Sequence, residues 1–461
     1  MCTSLQFEPF HVLLLRKNAT ELLLDYSPRG ARLPVLTIPA ETRTAEELTR
    51  SVRDSWGLRA YCLLTLPIED SIGRAAIFEA TSPSELIPGE LQWRRAASLC
   101  QADFDDPASF AAMEHSLHLL DRYRHGKLPG TFAQPACLPA ITDWVEQHSA
   151  TLGFHLTGVF WQLSVSPTFS LIRFETTGPA LWFKAVGQPN LHEYSITRKL
   201  AAEFPRFAPR FLASHPEWNA WLSIEAEGSH LTTDSPHQDW ERAAAAFAQL
   251  QVATFGSSLH LIAAGCRDLR TQALRALVAP YFDFADELMD QQTKPTPAPL
   301  SRNVLRALRE QVEVSLDRLE GNNLPNVLGH LDLNPGNILV SETGCVFLDW
   351  AEGAVGQPFF SFEYLREHWK RLHRAGSQGE TSLLSAYSAE WRSFVSPAAT
   401  VAALTYTPLL AAFALASAVA DALRHRPEKA RRNVAPYLRS LTRRMKREAD
   451  ALEERRAVCV L

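Results

Sequence analysis

Seven cysteines are scattered through 461 residues, at Cys2, Cys62, Cys100, Cys137, Cys266, Cys345 and Cys459. None belongs to a CxxC pair or to a Cys/His cluster, which argues against a disulfide framework and against a zinc site, and fits a reducing compartment. Charge of one sign is also missing: 46 Lys and Arg stand against 51 Asp and Glu, a net −5. That balance argues against a dedicated nucleic-acid binder. The first residues, Met-Cys-Thr-Ser-Leu-Gln-Phe-Glu, carry no basic stretch followed by an apolar run, so no secretory signal is expected and the expected location is cytoplasmic. No GxxxxGK[ST] occurs, which excludes the P-loop as a phosphate cradle.

Long apolar runs are nearly absent as well. Val401–Ala420 is almost uncharged and about as long as a bilayer span. It is rich in alanine and includes Thr405, Tyr406, Thr407, Pro408 and Ser417, so a buried helix is expected and no membrane partner. The tail beyond Asp421 is dense in Arg and Lys, from Arg424 and Arg426 to Arg447, with Leu438, Leu441, Met445 and Leu452 at helical spacing. It reads as a solvated amphipathic helix.

What is present is concentrated in residues 328–350: His330-x-Asp332-x-x-x-x-Asn337, an apolar run at Ile338–Val340, Glu342-Thr343-Gly344, a second run at Cys345–Leu348, and Asp349. Two short runs around a glycine turn predict a hairpin. A hairpin returns the chain to its start, so Asp349 should arrive beside Asn337. Pro335-Gly336 tightens the loop. This stretch resembles the catalytic and metal-binding loops of the protein-kinase-like fold, where one Asp accepts the proton of the attacking hydroxyl while an Asn and a second Asp hold Mg²⁺ against nucleotide phosphates.

Upstream, Ala180-Leu181-Trp182-Phe183-Lys184-Ala185-Val186 places one lysine in an otherwise apolar strand, and a buried lysine needs an opposite charge. Glu193, at the start of a helix around Asn190–Glu203, is the expected partner, with Glu203 as the fallback. Trp221-Leu222-Ser223-Ile224-Glu225-Ala226-Glu227-Gly228 follows. With these motifs, residues ~140–455 resemble the aminoglycoside phosphotransferase and choline-kinase-like family.

The resemblance implies an α+β, bilobal protein-kinase-like fold behind a small α/β domain. The expected division is an N-terminal domain at 1–125, a linker at 126–139, a β-rich lobe at 140–228 and a helical lobe at 229–461. It further implies Mg²⁺-dependent transfer of the γ-phosphoryl group of ATP or GTP to a hydroxyl of a small molecule. Asp332 would be the catalytic base, Asn337 and Asp349 the metal ligands, and Lys184, held by Glu193, the phosphate contact. Glu225 and Ala226 would border the adenine, and His330 would brace the loop.

The sequence departs from the family where a loop should cover the nucleotide: Gln162–Phe169 contains no glycine. Gly356-Gln357-Pro358 stands where the family often has Gly-Asp-Pro, and His-Leu-Asp where many relatives have His-Gly-Asp. A catalytically weak nucleotide-binding sensor or scaffold therefore stays open as the alternative. For the acceptor, two acidic and aromatic stretches, Trp350 to Trp369 and Tyr281 to Asp290, suggest a wall for a cationic compound or ordinary amphipathic helices.

The segment Thr44–Leu58 resembles the second half of a Nudix box through Arg50, Val52, Asp54, Gly57 and Leu58, but Ser51, Ser55 and Thr42 stand where acids would bind Mg²⁺. The resemblance implies a Nudix-like domain reduced to a binding module; an unrelated small α/β domain fits equally.

Overall fold

The structure is a computed structural model that describes residues 6–40, 42–67, 73–81, 90–373, 378–423 and 428–459. Arg424 and Arg426 of the basic tail lie outside them. The chain is a mixed α+β protein, sheet-rich in its first part and helical in its second. It forms two compact units: Met1–Tyr194 with Arg210–Glu225, and Ser195–Pro209 with Ala226–Leu461.

The first unit holds two sheets. One is seven-stranded, in the order Gly30–Arg32, Glu21–Ser27, Phe7–Arg16, Arg74–Ala80, Ala60–Pro67, with Val35–Pro39 and Leu91–Arg95 branching from it. Its centre, Phe7–Arg16, runs parallel to Arg74–Ala80 and is buried on both faces. That accounts for the unbroken run Val12–Leu15 in place of alternation. The helix Thr44–Trp56 buries Ala45, Leu48, Val52 and Trp56, a single stripe at helical spacing. Gly57, at φ +66°, ends it by donating its N–H to Arg53 O.

The second sheet of this unit is five-stranded and antiparallel: Phe211–His215, Ala220–Ile224, Leu181–Ala185, Ser170–Thr176, Leu156–Val165. A single apolar cluster runs through both sheets, joining Leu13, Tyr61 and Ile77 to Ile172, Leu181 and Phe183. Residues 126–139, expected as a linker, contribute to that cluster: Phe132, Ala133 and Cys137 are buried, and Cys137 opens the helix Cys137–Ala150. The prolines and glycines there shape a packed connection and not a loose one.

The second unit is built on helices around two three-stranded sheets. One sheet joins Arg267–Leu269, Gly353–Gly356 and Val327–His330, and the other joins Ser229–His230 to the hairpin Ile338–Val340 and Cys345–Phe347. Only the hairpin was expected. The remaining strands run from two to four residues, too short for a period to register.

Pro397–Leu423 is one helix, long and apolar enough to cross a membrane. Here it packs against helices Phe359–Leu372, Thr271–Asp290, Arg302–Glu320 and Glu428–Cys459, with Leu409–Ala414 buried. In Glu428–Cys459, Leu438, Leu441, Met445 and Leu452 face inward, as the spacing requires.

Candidate active site

The centre of the site is set by a buried histidine. His330 ends the strand Val327–His330 and is fully buried. Its Nδ1 accepts the N–H of Asp332 at 3.1 Å, so its Nε2 carries the proton and donates to Leu348 O at 3.0 Å. Trp350 covers the ring at a centroid distance of 4.8 Å. Burial holds the imidazole below its usual pKa, against the charges of Asp332 and Asp349. A neutral His330 thus ties the segment carrying Asp332 to the segment carrying Asp349, the bracing role expected of it.

Asp332 itself is exposed. Asn337 turns its Nδ2 toward it and donates to Asp332 O at 3.0 Å and to Asp332 Oδ2 at 3.2 Å. With both amide protons spent, the Oδ1 of Asn337 is left as an acceptor. The hairpin pairs Ile338 with Phe347, and Leu348 N–H reaches Asn337 O at 2.9 Å, so Asp349 follows directly beside Asn337. Asp349 is exposed and sits at φ +60°. That left-handed conformation costs a non-glycine residue about 1–2 kcal/mol, and such residues cluster at functional sites. The structure thus brings Asp332, Asn337 and Asp349 onto one loop system.

A second layer, not foreseen, supports this loop. Ser361 Oγ accepts the His330 N–H at 2.8 Å, and Gly329 leaves room for it: a Cβ there would stand 2.9 Å from that oxygen. Gln251 donates to Leu328 O and Pro358 O and accepts from Tyr387 at 2.6 Å. A serine inside the run Phe359-Phe360-Ser361-Phe362 was the available signal. Gln357 accepts from Phe359 N at 2.9 Å and donates to Thr407 at 3.1 Å. The amide therefore caps the helix Phe359–Leu372.

Lys184 lies in the strand Leu181–Ala185, and its Nζ is 2.5 Å from Glu193 Oε1, in the first turn of the helix His192–Glu203. The two side chains are 14% and 2% exposed, so this is a nearly dry ion pair. Glu203, the fallback partner, pairs with Lys199 instead. The rings of Phe169 and Trp221 lie 5.9 and 5.7 Å from the Lys184 ammonium.

The side chain of Glu225 is anchored within its own sheet. Its carboxylate takes two hydrogen bonds from Arg173, at 2.5 and 2.9 Å, and one from Trp182 at 3.2 Å. The Arg173 bonds hold its pKa below the usual carboxylate range. Its backbone N–H goes to Ala180 O. Ala226 is half-buried and makes no backbone hydrogen bond to any described residue.

Of the two stretches that suggested either an acceptor wall or ordinary amphipathic helices, most aromatic residues are core, while Asp283, Glu287 and Asp290 are exposed. Trp350, Phe359, Phe360, Tyr364 and Trp369 are buried, as are Tyr281 and Phe282. Asp286 and Asp290 pair with Arg302 at the surface. Glu363 is buried beside Arg366 and Lys370, and burial raises its pKa. They read as acidic and aromatic because helix faces alternate; the alternation serves packing. The groups within electrostatic reach of Asp332 are instead His368 and Tyr437. Burial and Arg371 hold the His368 imidazole below its usual pKa, and burial raises that of the Tyr437 phenol.

Among the described residues no group of three or more His, Cys, Asp and Glu could hold a metal. The oxygens of Asn337 and Asp349 fit Mg²⁺ nonetheless, because that ion takes one or two protein ligands and completes its shell with water and phosphate.

No curated protein matches the sequence. Among solved structures, the apoenzyme of a macrolide 2'-phosphotransferase from Brachybacterium faecium is 20% identical, with a TM-score of 0.43, covering 66% of this chain and 98% of that one. A choline kinase from Streptococcus pneumoniae is 14% identical at a TM-score of 0.45, covering 68% and 99%. A Plasmodium vivax ethanolamine kinase is 13% identical at 0.45, covering 73% and 93%. The family model described as the phosphotransferase enzyme family matches residues 190–394, a span that contains Glu193, Asp332, Asn337 and Asp349. Over residues 190–394 this chain is thus similar to the phosphotransferase enzyme family.

Proposed function

We propose that this protein moves the γ-phosphoryl group of ATP or GTP to a hydroxyl of a small molecule. The observation that carries the reading is the His330-braced loop, which holds an exposed Asp332 against Asn337 and follows it with a strained, exposed Asp349. In phosphoryl transfer the protein mainly positions groups and neutralises charge. Asp332 would orient the acceptor hydroxyl and take its proton. Asn337 Oδ1 and Asp349 would hold Mg²⁺, which supplies charge neutralisation at the phosphates. Lys184, fixed by Glu193, would meet the α- and β-phosphates. The unspent backbone of Ala226 suits a base edge, and Glu225 would act at one remove by anchoring its strand.

The acceptor is a hydroxylated small molecule. The aromatic residues Trp350, Phe359, Phe360, Tyr364, Trp369, Tyr281 and Phe282 are buried in the core, so they offer a cationic acceptor no exposed ring. Cys62, Cys100, Cys137, Cys266 and Cys345 are free thiols, and we place the protein in the cytoplasm on that basis. A sensor or scaffold that binds nucleotide without turnover is the second reading, favoured by the glycine-free segment 162–169.

The test is a nucleotide-consumption screen over hydroxylated amines, sugars and nucleosides. Asp332→Ala should abolish turnover and retain Mg·ATP binding, whereas a rate equal to that of the wild type in Asp332→Ala refutes the assignment. Mg·ATP binding with no turnover on any acceptor supports the sensor.

A further inference from the structure

The turn Ser166-Pro167-Thr168-Phe169 joins the strands Leu156–Val165 and Ser170–Thr176. It closes on itself through Ser166 N–H to Phe169 O at 3.2 Å, and Ser166 Oγ accepts the N–H groups of Thr168 and Phe169 at 3.3 and 2.9 Å. It lies beside the lysine strand. Phe169 is near the Lys184 ammonium, and Thr168 sits where a Cβ on Gly187 would be only 2.4 Å away.

Three anchors from outside this sheet hold the turn and its flanks. On one strand, Gln162 makes a double hydrogen bond with the backbone of Cys62, N–H and C=O both at 2.8 Å. On the other, Ser170 Oγ meets the Tyr61 hydroxyl at 3.2 Å. At the tip, Pro167 O accepts the N–H of Phe132 at 3.1 Å, and Gly130 presses so close that a Cβ there would lie 2.6 Å from Pro167 Cβ. Tyr61, Gln162 and Ser170 are all buried. The helix Thr44–Trp56, the one with the Nudix-like pattern, packs on the strand Leu156–Val165, where Arg53 lies 4.8 Å from the Trp161 ring centroid.

We infer that the N-terminal domain and the connection 126–139 together form a positioning clamp for the phosphate-side turn, with Tyr61 and Gly130–Phe132 as its positioning residues. The inference rests on the reading that Lys184 meets nucleotide phosphates. A glycine-rich loop approaches phosphates closely but must be ordered on binding. A turn pinned from three sides is ordered when the chain folds, so nucleotide binding bears less of that entropy. The clamp thereby replaces the missing glycines.

The experiment uses the full chain and titration calorimetry with Mg·ATP and Mg·GTP, and with adenosine and guanosine as ligands lacking phosphates. Tyr61→Phe removes one hydroxyl, and Gly130→Ala pushes on Pro167. Each should raise the Kd for the magnesium nucleotide by roughly tenfold, the size of one lost positioning hydrogen bond, and leave the matching nucleoside unchanged. Thermal melting of each variant is followed in parallel. Tyr61→Phe keeps the ring that fills the core and serves where Gly130→Ala does not fold. Unchanged nucleotide affinity in both variants, or equal weakening of nucleotide and nucleoside, overturns the clamp alone. A wild-type chain that binds neither Mg·ATP nor Mg·GTP overturns the phosphotransfer reading together with it.

Discussion

Removing one charge of the Lys184–Glu193 pair should separate folding from function. The pair spans 2.5 Å with side chains 14% and 2% exposed, so water screens it little. Breaking a buried pair by deleting one partner typically costs about 3–5 kcal/mol, because the remaining charge loses its compensation. The partial exposure of Lys184 favours the lower end, about 3 kcal/mol for Glu193→Gln or for Lys184→Met. With both changes together neither charge is stranded. The double variant should then be more stable than either single, with a coupling of at least ~1.5 kcal/mol in a double-mutant cycle. Denaturant unfolding followed by tryptophan fluorescence suits the measurement, since Trp221 lies 5.7 Å from the Lys184 ammonium. Nucleotide binding should behave differently. Every variant lacking Lys184 should lose Mg·ATP affinity, including the stabilised double variant. Additive stability losses would refute the buried pair, and recovery of Mg·ATP binding in the double variant would refute the role of Lys184 at phosphates.

Further outcomes follow from the loop. Asp349→Gly should relieve the φ +60° backbone and stabilise the fold by about 1 kcal/mol while losing Mg²⁺-dependent nucleotide binding; a destabilised glycine variant in thermal melting would contradict the strain. Ser361→Ala leaves the buried His330 N–H without its acceptor and should cost about 1–3 kcal/mol, read from denaturation midpoints. Burial depresses the pKa of His330, so between its folded value and the unfolded value of about 6.5 the unfolded chain binds more protons. Stability contributed by neutral His330 is therefore present above about pH 6.5 and lost as the pH falls, at up to ~1.4 kcal/mol per unit. His368 adds to the same slope, so the check is the difference between wild type and His330→Asn in stability against pH.

The parts that were legible in the sequence are those whose information is local. Asp332, Asn337 and Asp349 lie within eighteen positions around a glycine turn, and the hairpin that joins them follows from two apolar runs and Gly344. Lys184 and Glu193 were legible because a lone lysine in an apolar strand demands a partner, and a helix start nine residues on offers one. The choice between an acceptor wall and ordinary amphipathic helices stayed open in the sequence for a complementary reason. Tyr281, Phe282, Phe359 and Tyr364 have a composition that suits ligands and cores equally, and only burial tells them apart. Ser361 escaped because one hydroxyl among phenylalanines carries no period.

The clamp was out of reach for a different reason. Tyr61 and Ser170 are 109 positions apart, and Cys62 and Gln162 are 100 apart, so no window along the chain contains both ends of either contact. Their residue types give no hint, since a tyrosine and a serine in separate strands are ordinary. In the sequence the segment 162–169 reads as a loop that has lost its glycines. Glycine is needed there only if the turn must reach its ligand by bending. A turn held by Phe132, Gln162 and Tyr61 does not need to bend, provided that the surrounding sheet already puts it beside Lys184. The absence of glycine and the packing of residues 126–139 then have one cause. The chain fixes by tertiary contact what a glycine-rich loop leaves to the ligand, so nucleotide affinity should depend on residues of the N-terminal domain that touch no nucleotide.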